Sequence, residues 1–235
     1  MDFWQRQRPM FNQEEFTKIR DMVVYIAGAG GLGTHQVVEL QRIGVKKIYI
    51  IDHDTINATN LNRQILYGRE DIGKSKVDVA KKRLENYNLG TKVIAIKEKI
   101  NNNTVIPGDV DIVFDALDNF ETRFILERLA GDSGLPLIHG GVSSWYGQIT
   151  TIMKGETSTL RKLLAGQINA NKEKNEDNIK DNDNNFIPVF SPIVSIVASL
   201  QVIEGVKVFL NKEKTLKNKL LLVDSRDYSV DRVQI

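Results

Sequence analysis

Residues 52–64 read DHDTINATNLNRQ, placing three asparagines, an arginine and a glutamine behind an acid where an ordinary loop needs none of them. Thirteen residues beyond Arg63 stands Lys76, in GKSKVDVAKKR, and further on DALDNFETR sets Asp118 beside Asn119. Upstream, GAGGLG at 28–33 carries the GxGxxG spacing after a strand pattern and before a helix pattern, the context this fingerprint requires. Gly28 permits the tight turn, Gly30 and Gly31 let backbone approach a ligand, and Gly33 lets helix pack on strand. Backbone N–H groups at the helix start then meet the ligand with partial positive charge. Asp52 lies 22 residues after Gly30, the position of a ribose-binding acid. The fingerprint alone suits NAD, FAD, S-adenosylmethionine or ATP.

The elements that must hold these residues follow from pattern. MVVYIA is a buried strand, THQVVELQRIG a helix ending on Gly44 as a C-cap, and VKKIYIIDHD the next strand, so residues 22–54 form a βαβ unit. SKVDVAKKRLENYN reads as an amphipathic helix capped by Ser75, KVIAIKEKI as a strand, and VDIVFDAL as a buried parallel strand. NFETRFILERLAGDSG is a helix stopped by glycine, followed by the strand LPLIHGGV. The alternation then changes: GQITTIMKG reads as an antiparallel strand and KLLLVDSRDYSVDRVQI as a closing hairpin. Between them SPIVSIVASLQVIEGVKVFLN is apolar around its circumference, a largely buried helix over 191–210. Gln201, Glu204 and Lys207 along one side favour a core helix over a membrane span. The fold class expected is α/β: a Rossmann-like, mostly parallel sheet with helices on both faces, extended by antiparallel strands in the C-terminal half. The chain is read as one domain over 1–235. It has an N-terminal helical arm at 1–21, a nucleotide-binding part at 22–140, and a remainder at 141–235 that holds a mobile loop at 166–186. That loop is rich in Asn, Lys, Asp and Glu, and cannot bury enough surface to offset its ordering entropy.

At 235 residues the chain suits one large domain. A net charge of +2 gives no electrostatic reason to expect nucleic acid or an anionic membrane as partner. No run of 18 apolar residues and no signal-peptide pattern is present, so a cytoplasmic location is expected. Cysteine is absent, which removes disulfides, thiolate zinc sites and thiol nucleophiles together.

The segments WQRQ, GAGGLG, TNLNRQ, GKSKVDVA, LDNFETR, GQIT and SPIVSIVASLQVIEGVK together resemble the ubiquitin-activating-enzyme-like adenylyltransferases of the HesA/MoeB/ThiF family, over nearly the whole chain. The resemblance implies an ATP-dependent enzyme that activates the C-terminal glycine carboxylate of a small ubiquitin-like, sulfur-carrier protein ending in Gly-Gly. The product is an acyl-adenylate and pyrophosphate is released. Such a reaction brings a carboxylate to a polyanion, so it calls for cations on the phosphates and no general base, the nucleophile being ionised at neutral pH. By the resemblance Gly31 lies against the nucleotide, Asp52 binds ribose, Asn60 and Arg63 hold phosphates with Gln64 in support, and Lys76 reaches the phosphates. Asp118, with Asn119 beside it, takes Mg²⁺ or places its water. Arg6, with Arg8 as fallback, enters the partner subunit's site of a homodimer. Asp54 is read as a loop capper, Asp118 has helix capping as its plain rival, and Arg123, His35, His53 and His139 are read as structural.

By the resemblance, most bacterial relatives also carry two Cys-x-x-Cys pairs that bind a structural zinc. Here Thr159 and Lys162 stand in the first pair's places and Ile235 ends the sequence where the second would follow, so no zinc is expected. With no cysteine at 166–188 either, the reaction should stop at the acyl-adenylate, another protein completing the transfer. The other readings weighed are a different carboxylate or a modified tRNA base (as in threonylcarbamoyladenosine dehydratase), an NAD-dependent oxidoreductase, and a non-catalytic ATP-binding partner module.

Overall fold

A computed structural model of the protein describes residues 3–165 and 188–235. The expected mobile loop at 166–186 lies outside the described residues. β1 (Val23–Ala27) has all five side chains buried, which places it at the centre of a sheet covered on both faces. It pairs in parallel with β2 (Lys47–Ile51) on one side and β4 (Ile112–Asp115) on the other. β3 (Lys92–Ile96) extends the first side and β5 (Leu137–Ser143) the second, both in parallel. β6 (Tyr146–Ile152), β7 (Lys219–Asp224) and β8 (Ser229–Gln234) then add in antiparallel pairing, giving one eight-stranded sheet of order β3-β2-β1-β4-β5-β6-β7-β8. Order reverses between β1 and β4, and the region beyond the carboxyl ends of the strands at such a reversal is where open α/β sheets bind ligands in a crevice.

Helices cover both faces, as the pattern of apolar residues anticipated. α2 (Gly31–Ile43) and α3 (Lys76–Tyr87) contribute Val37, Leu40, Val77 and Leu84 to a core on one face. On the other face α4 (Phe120–Asp132) and the short α5 (Leu160–Leu163) bury Leu126, Leu129 and Leu160. The caps read from sequence are present: Gly44 ends α2 at φ 91° and the Ser75 hydroxyl accepts from Asp78 N–H. The N-terminal arm contains α1 (Gln13–Asp21), whose capping box joins Asn12 and Glu15. Ahead of it Trp4 Nε1 donates to the Arg42 carbonyl and Gln7 Nε2 to the Ile43 carbonyl, so the arm lies at the C-terminal end of α2.

The last helix, α6 (Ser191–Phe209), departs from expectation in one respect. It packs against α2, β5 and β6, but it is only half buried, and its orientation inverts the usual pattern. The polar Gln201 and Glu204 are 0% and 2% exposed, while Ile196 and Ile203 are 42% and 55% exposed. The physical reason is a set of backbone groups that need partners. Gln201 Nε2 donates to the Asp115 carbonyl (2.9 Å) and the Ile138 carbonyl (3.0 Å), while its Oε1 accepts from Gln36 Nε2 (2.7 Å). Glu204 Oε1 accepts from Thr151 Oγ1 and from Leu216 N–H, each at 2.6 Å. Gln201→Leu strands two buried carbonyls and an amide, each worth about 1–3 kcal/mol. The melting temperature should fall by on the order of 10 °C for a chain of this size. A thermal melt within 2 °C or so of wild type would show that water replaces the glutamine.

Candidate active site

The glycine turn joins β1 to α2. Gly28 sits at φ 105°, a conformation that disfavours any side chain, and a Cβ there would come within 2.6 Å of the Ala116 carbonyl oxygen. At Gly33 a Cβ would reach 1.9 Å from the Gly28 oxygen, so glycine is what lets α2 start directly on the strand. Ala116 N–H donates to the Ala27 carbonyl, which fixes the end of β4 against this turn. The Asp52 carboxylate, at the end of β2, accepts from Ala29 N–H and from Asp54 N–H, each at 2.8 Å. One carboxylate thereby ties both loops at the carboxyl edge of the sheet. Tyr67 completes the floor, its buried hydroxyl donating to the Ala29 carbonyl at 2.8 Å. Burial pushes the Tyr67 phenol pKa up, so it stays a donor.

The Asn-rich loop turns back over this floor. Asn60 Oδ1 accepts from Asn57 N–H and closes a 3₁₀ turn at Ala58–Asn60. That turn aims the next residues at the glycines. A Cβ on Gly31 would lie 3.6 Å from Arg63 Cγ and 3.0 Å from Val194 Cγ1, so the Arg63 stem and the first turn of α6 flank that position. The Arg63 Nη1 donates to the Thr59 carbonyl (3.1 Å) and to Asn62 Oδ1 (2.9 Å). Gln64 is buried with its Nε2 3.7 Å from a Cβ placed on Gly30, and its Oε1 has no protein partner. Among the described residues that oxygen is one of several buried polar atoms left open to a ligand or to water.

Lys76 opens α3 and is 6% exposed, with its Nζ 2.8 Å from Asp54 Oδ2. Asp54 is therefore the ion-pair partner of Lys76 and not the loop cap expected from sequence. Burial would raise the Asp54 carboxyl, but the Lys76 hydrogen bond and charge outweigh it and hold it below the ordinary value. Across the crevice the capping role belongs to Asn119, whose Oδ1 accepts from Thr122 N–H at 2.9 Å. Asp118, one residue earlier, stays exposed with a 3.4 Å contact to Asn119 Nδ2. The rival reading of Asp118 as a cap is thus taken by its neighbour.

Arg6 is exposed on the arm at the far end of α2. With 13 residues in that helix, the arm and the glycine turn are separated by about 20 Å within one chain. The single chain does not bring Arg6 to Arg63, Lys76 and Asp118.

Beneath the crevice lies a group that the sequence reading passed over. Asp115, at the end of β4, is 0% exposed and its carboxylate accepts from His139 Nδ1–H (2.7 Å) and Leu117 N–H (3.0 Å). Arg123 from α4 makes an ionic contact to it at 3.4 Å. Burial pushes the Asp115 carboxyl up, but the Arg123 charge and the His139 hydrogen bond prevail and keep it ionised. Burial lowers the His139 pKa further than Asp115 raises it, so the imidazole is neutral, with Nε2 facing Gln148 Nε2 at 3.3 Å. The signal was available: an aspartate inside FDAL and a histidine inside LPLIHGGV are anomalies in buried strands.

A mostly parallel, doubly wound sheet with a glycine turn at the point of strand reversal defines a Rossmann-like α/β fold. The chain belongs to the ThiF family, whose family model matches residues 4–235. It is an adenylyltransferase of the ubiquitin-activating-enzyme-like type, and this family uses ATP. Over 249 aligned residues it is 28% identical to the sulfur carrier protein adenylyltransferase of Thermus thermophilus, covering 100% of this chain and 87% of that protein. It is 30% identical to the probable molybdopterin-synthase adenylyltransferase of Porphyra purpurea, over 97% of this chain and 58% of that one. The fold is also that of E. coli MccB, solved with AMPCPP and MccA: the TM-score is 0.78 at 23% identity, covering 94% of this chain and 66% of the other.

Proposed function

We propose that this chain activates the C-terminal glycine carboxylate of a small ubiquitin-like sulfur-carrier protein ending in Gly-Gly, as an acyl-adenylate. The observation that carries this reading is the placement of Arg63 and Gln64 against Gly31 and Gly30, with Lys76 at the start of α3 and Asp118 on the loop after β4. ATP with Mg²⁺ supplies the electrophilic α-phosphorus and the pyrophosphate leaving group. Asp52 and the glycine turn hold the nucleoside, while Arg63 and Lys76 bind the phosphates together with Asn60. Asp118 is the metal's carboxylate, Mg²⁺ needing few protein oxygens when phosphates supply the rest. The attacking carboxylate is ionised at neutral pH, so no side chain must remove a proton. The buried, neutral His139 is consistent with that economy.

The active unit proposed is a homodimer in which Arg6 serves the partner's crevice. The distance of the arm from its own site supports this, as does the exposed Ile196–Ile203 face of α6, whose residues stand seven apart on one stripe. Thr159 and Lys162, in the places of the zinc cysteines, are joined by a hydrogen bond from Lys162 N–H to Thr159 Oγ1, and Glu127 Oε1 accepts from Leu160 N–H beside them. We read this turn as held by hydrogen bonds without zinc. The chain has no thiol, so sulfur or amine transfer falls to another protein.

ATP–pyrophosphate exchange tests the reading. Exchange should depend on a carrier protein with an intact C-terminal Gly-Gly and vanish when those residues are deleted. Exchange with a short peptide or with tRNA in place of the carrier, or none with any carrier, would redirect the assignment. Asp118→Ala should lower Mg²⁺-dependent turnover by about 10²-fold or more while metal-free nucleotide binding stays within a few-fold. Equal loss of both would remove Asp118 from the metal.

A further inference from the structure

The Asp118 carboxylate has no side-chain grip of its own beyond the 3.4 Å contact to Asn119, yet its backbone is held from both sides. Upstream, both polar groups of Leu117 are taken. Its N–H donates to Asp115 Oδ1, and its carbonyl accepts from Arg123 Nη2, which also reaches the Gly140 carbonyl at 3.2 Å. Downstream, Asn119 is locked as the cap of α4. Arg123 is 8% exposed and joins three elements: the helix that carries it, the loop ahead of Asp118, and β5.

We propose that Arg123, backed by Asp115 and His139, is the positioning residue that aims Asp118 into the crevice. The inference rests on the proposed role of Asp118 and extends it to a buried group that touches no reactant. His139 donates its Nδ1–H to Asp115, and Gln148 stands at its Nε2, so the ring orients the carboxylate that accepts from Leu117 N–H and lies in ionic contact with Arg123 Nε at 3.4 Å. A buried aspartate facing a histidine invites comparison with a catalytic dyad. Here His139 is 1% exposed and its second nitrogen meets an amide, so it has no route to a substrate proton.

Arg123→Lys isolates the idea, because lysine keeps a positive charge but its single nitrogen cannot face Asp115, as Nε does, while also donating to the Leu117 and Gly140 carbonyls, as Nη2 does. Calorimetry with a non-hydrolysable ATP analogue, titrated at varied Mg²⁺, is the readout, with adenylation kinetics beside it. The Mg²⁺ concentration at half-effect should rise by about tenfold. Affinity without metal should stay within about twofold, and in an Asp118→Asn background the substitution should add nothing. A wild-type Mg²⁺ response in Arg123→Lys, or full additivity with Asp118→Asn, overturns the proposal. If Asp118→Asn alone leaves the Mg²⁺ response unchanged, the metal role of Asp118 fails and the positioning role with it. That signature differs from a shifted Asp118→Asn beside an unshifted Arg123→Lys. Should Arg123→Lys fold poorly, His139→Leu, which removes the donor to Asp115 and leaves Arg123 in place, should shift the same Mg²⁺ midpoint in the same direction. An unshifted midpoint in that variant overturns the proposal equally.

Discussion

Arg63→Ala forms acyl-adenylate about 10³-fold more slowly than wild type, while its affinity for ATP falls only a few-fold. That is the expected result, and the reason is where charge develops. Negative charge on the phosphates is greatest as the carboxylate attacks and pyrophosphate departs, so a cation there stabilises the transition state more than the bound nucleotide. Single arginines in phosphoryl transfer are worth roughly 10³–10⁵ in rate. The low end is expected because the proposed phosphate role is shared with Lys76; the Arg63 stem lies beside Gly31 while its Nη1 is held by Thr59 and Asn62. Single-turnover formation of the adenylate and equilibrium binding of ATP separate the two effects. Adenylation at the wild-type rate would reduce the Asn-rich loop to a plain connection.

Arg6→Ala should be comparably slow, although its arm lies about 20 Å from the glycine turn of its own chain. Mixing inactive Arg6→Ala and Arg63→Ala proteins should then restore activity. After random exchange half of the dimers are mixed, and each holds one site with both arginines and one with neither, so about a quarter of wild-type activity returns. The measurement is steady-state adenylation after subunit exchange verified with tagged chains. No recovery despite verified exchange rules out a site shared between subunits.

What could be read from the sequence was set by local spacing. The βαβ unit at 22–54 follows from glycine punctuation and strand burial, both of which act over a few residues. The antiparallel end was visible from the change of alternation after Gly147. The Ser75 cap was visible for the same local reason. The partner of Lys76 could not be read: Asp54 stands 22 residues away, and backbone pairing of residues 54–56 with 73–76 brings the two together. The inverted burial of α6 could not be read at all, since it depends on which strand carbonyls lack partners after the sheet has formed. Arg123 was read as structural. What it grips became apparent only once Leu117 and Gly140 were neighbours in space.

The same helix sets a timetable for synthesis. Gln36 meets Gln201 across 165 residues of chain, and Glu39 meets Ser199 across 160. Val194 also flanks Gly31. A chain emerging from the ribosome can build the parallel strands and α2 early, because those contacts are closer in sequence. Its glycine turn then waits, without its last wall, until the segment that carries Val194 has emerged. The expected result is that added ATP protects the 235-residue chain from protease while doing little for fragments that end before α6; equal protection of both would show that the Val194 wall is not needed for nucleotide.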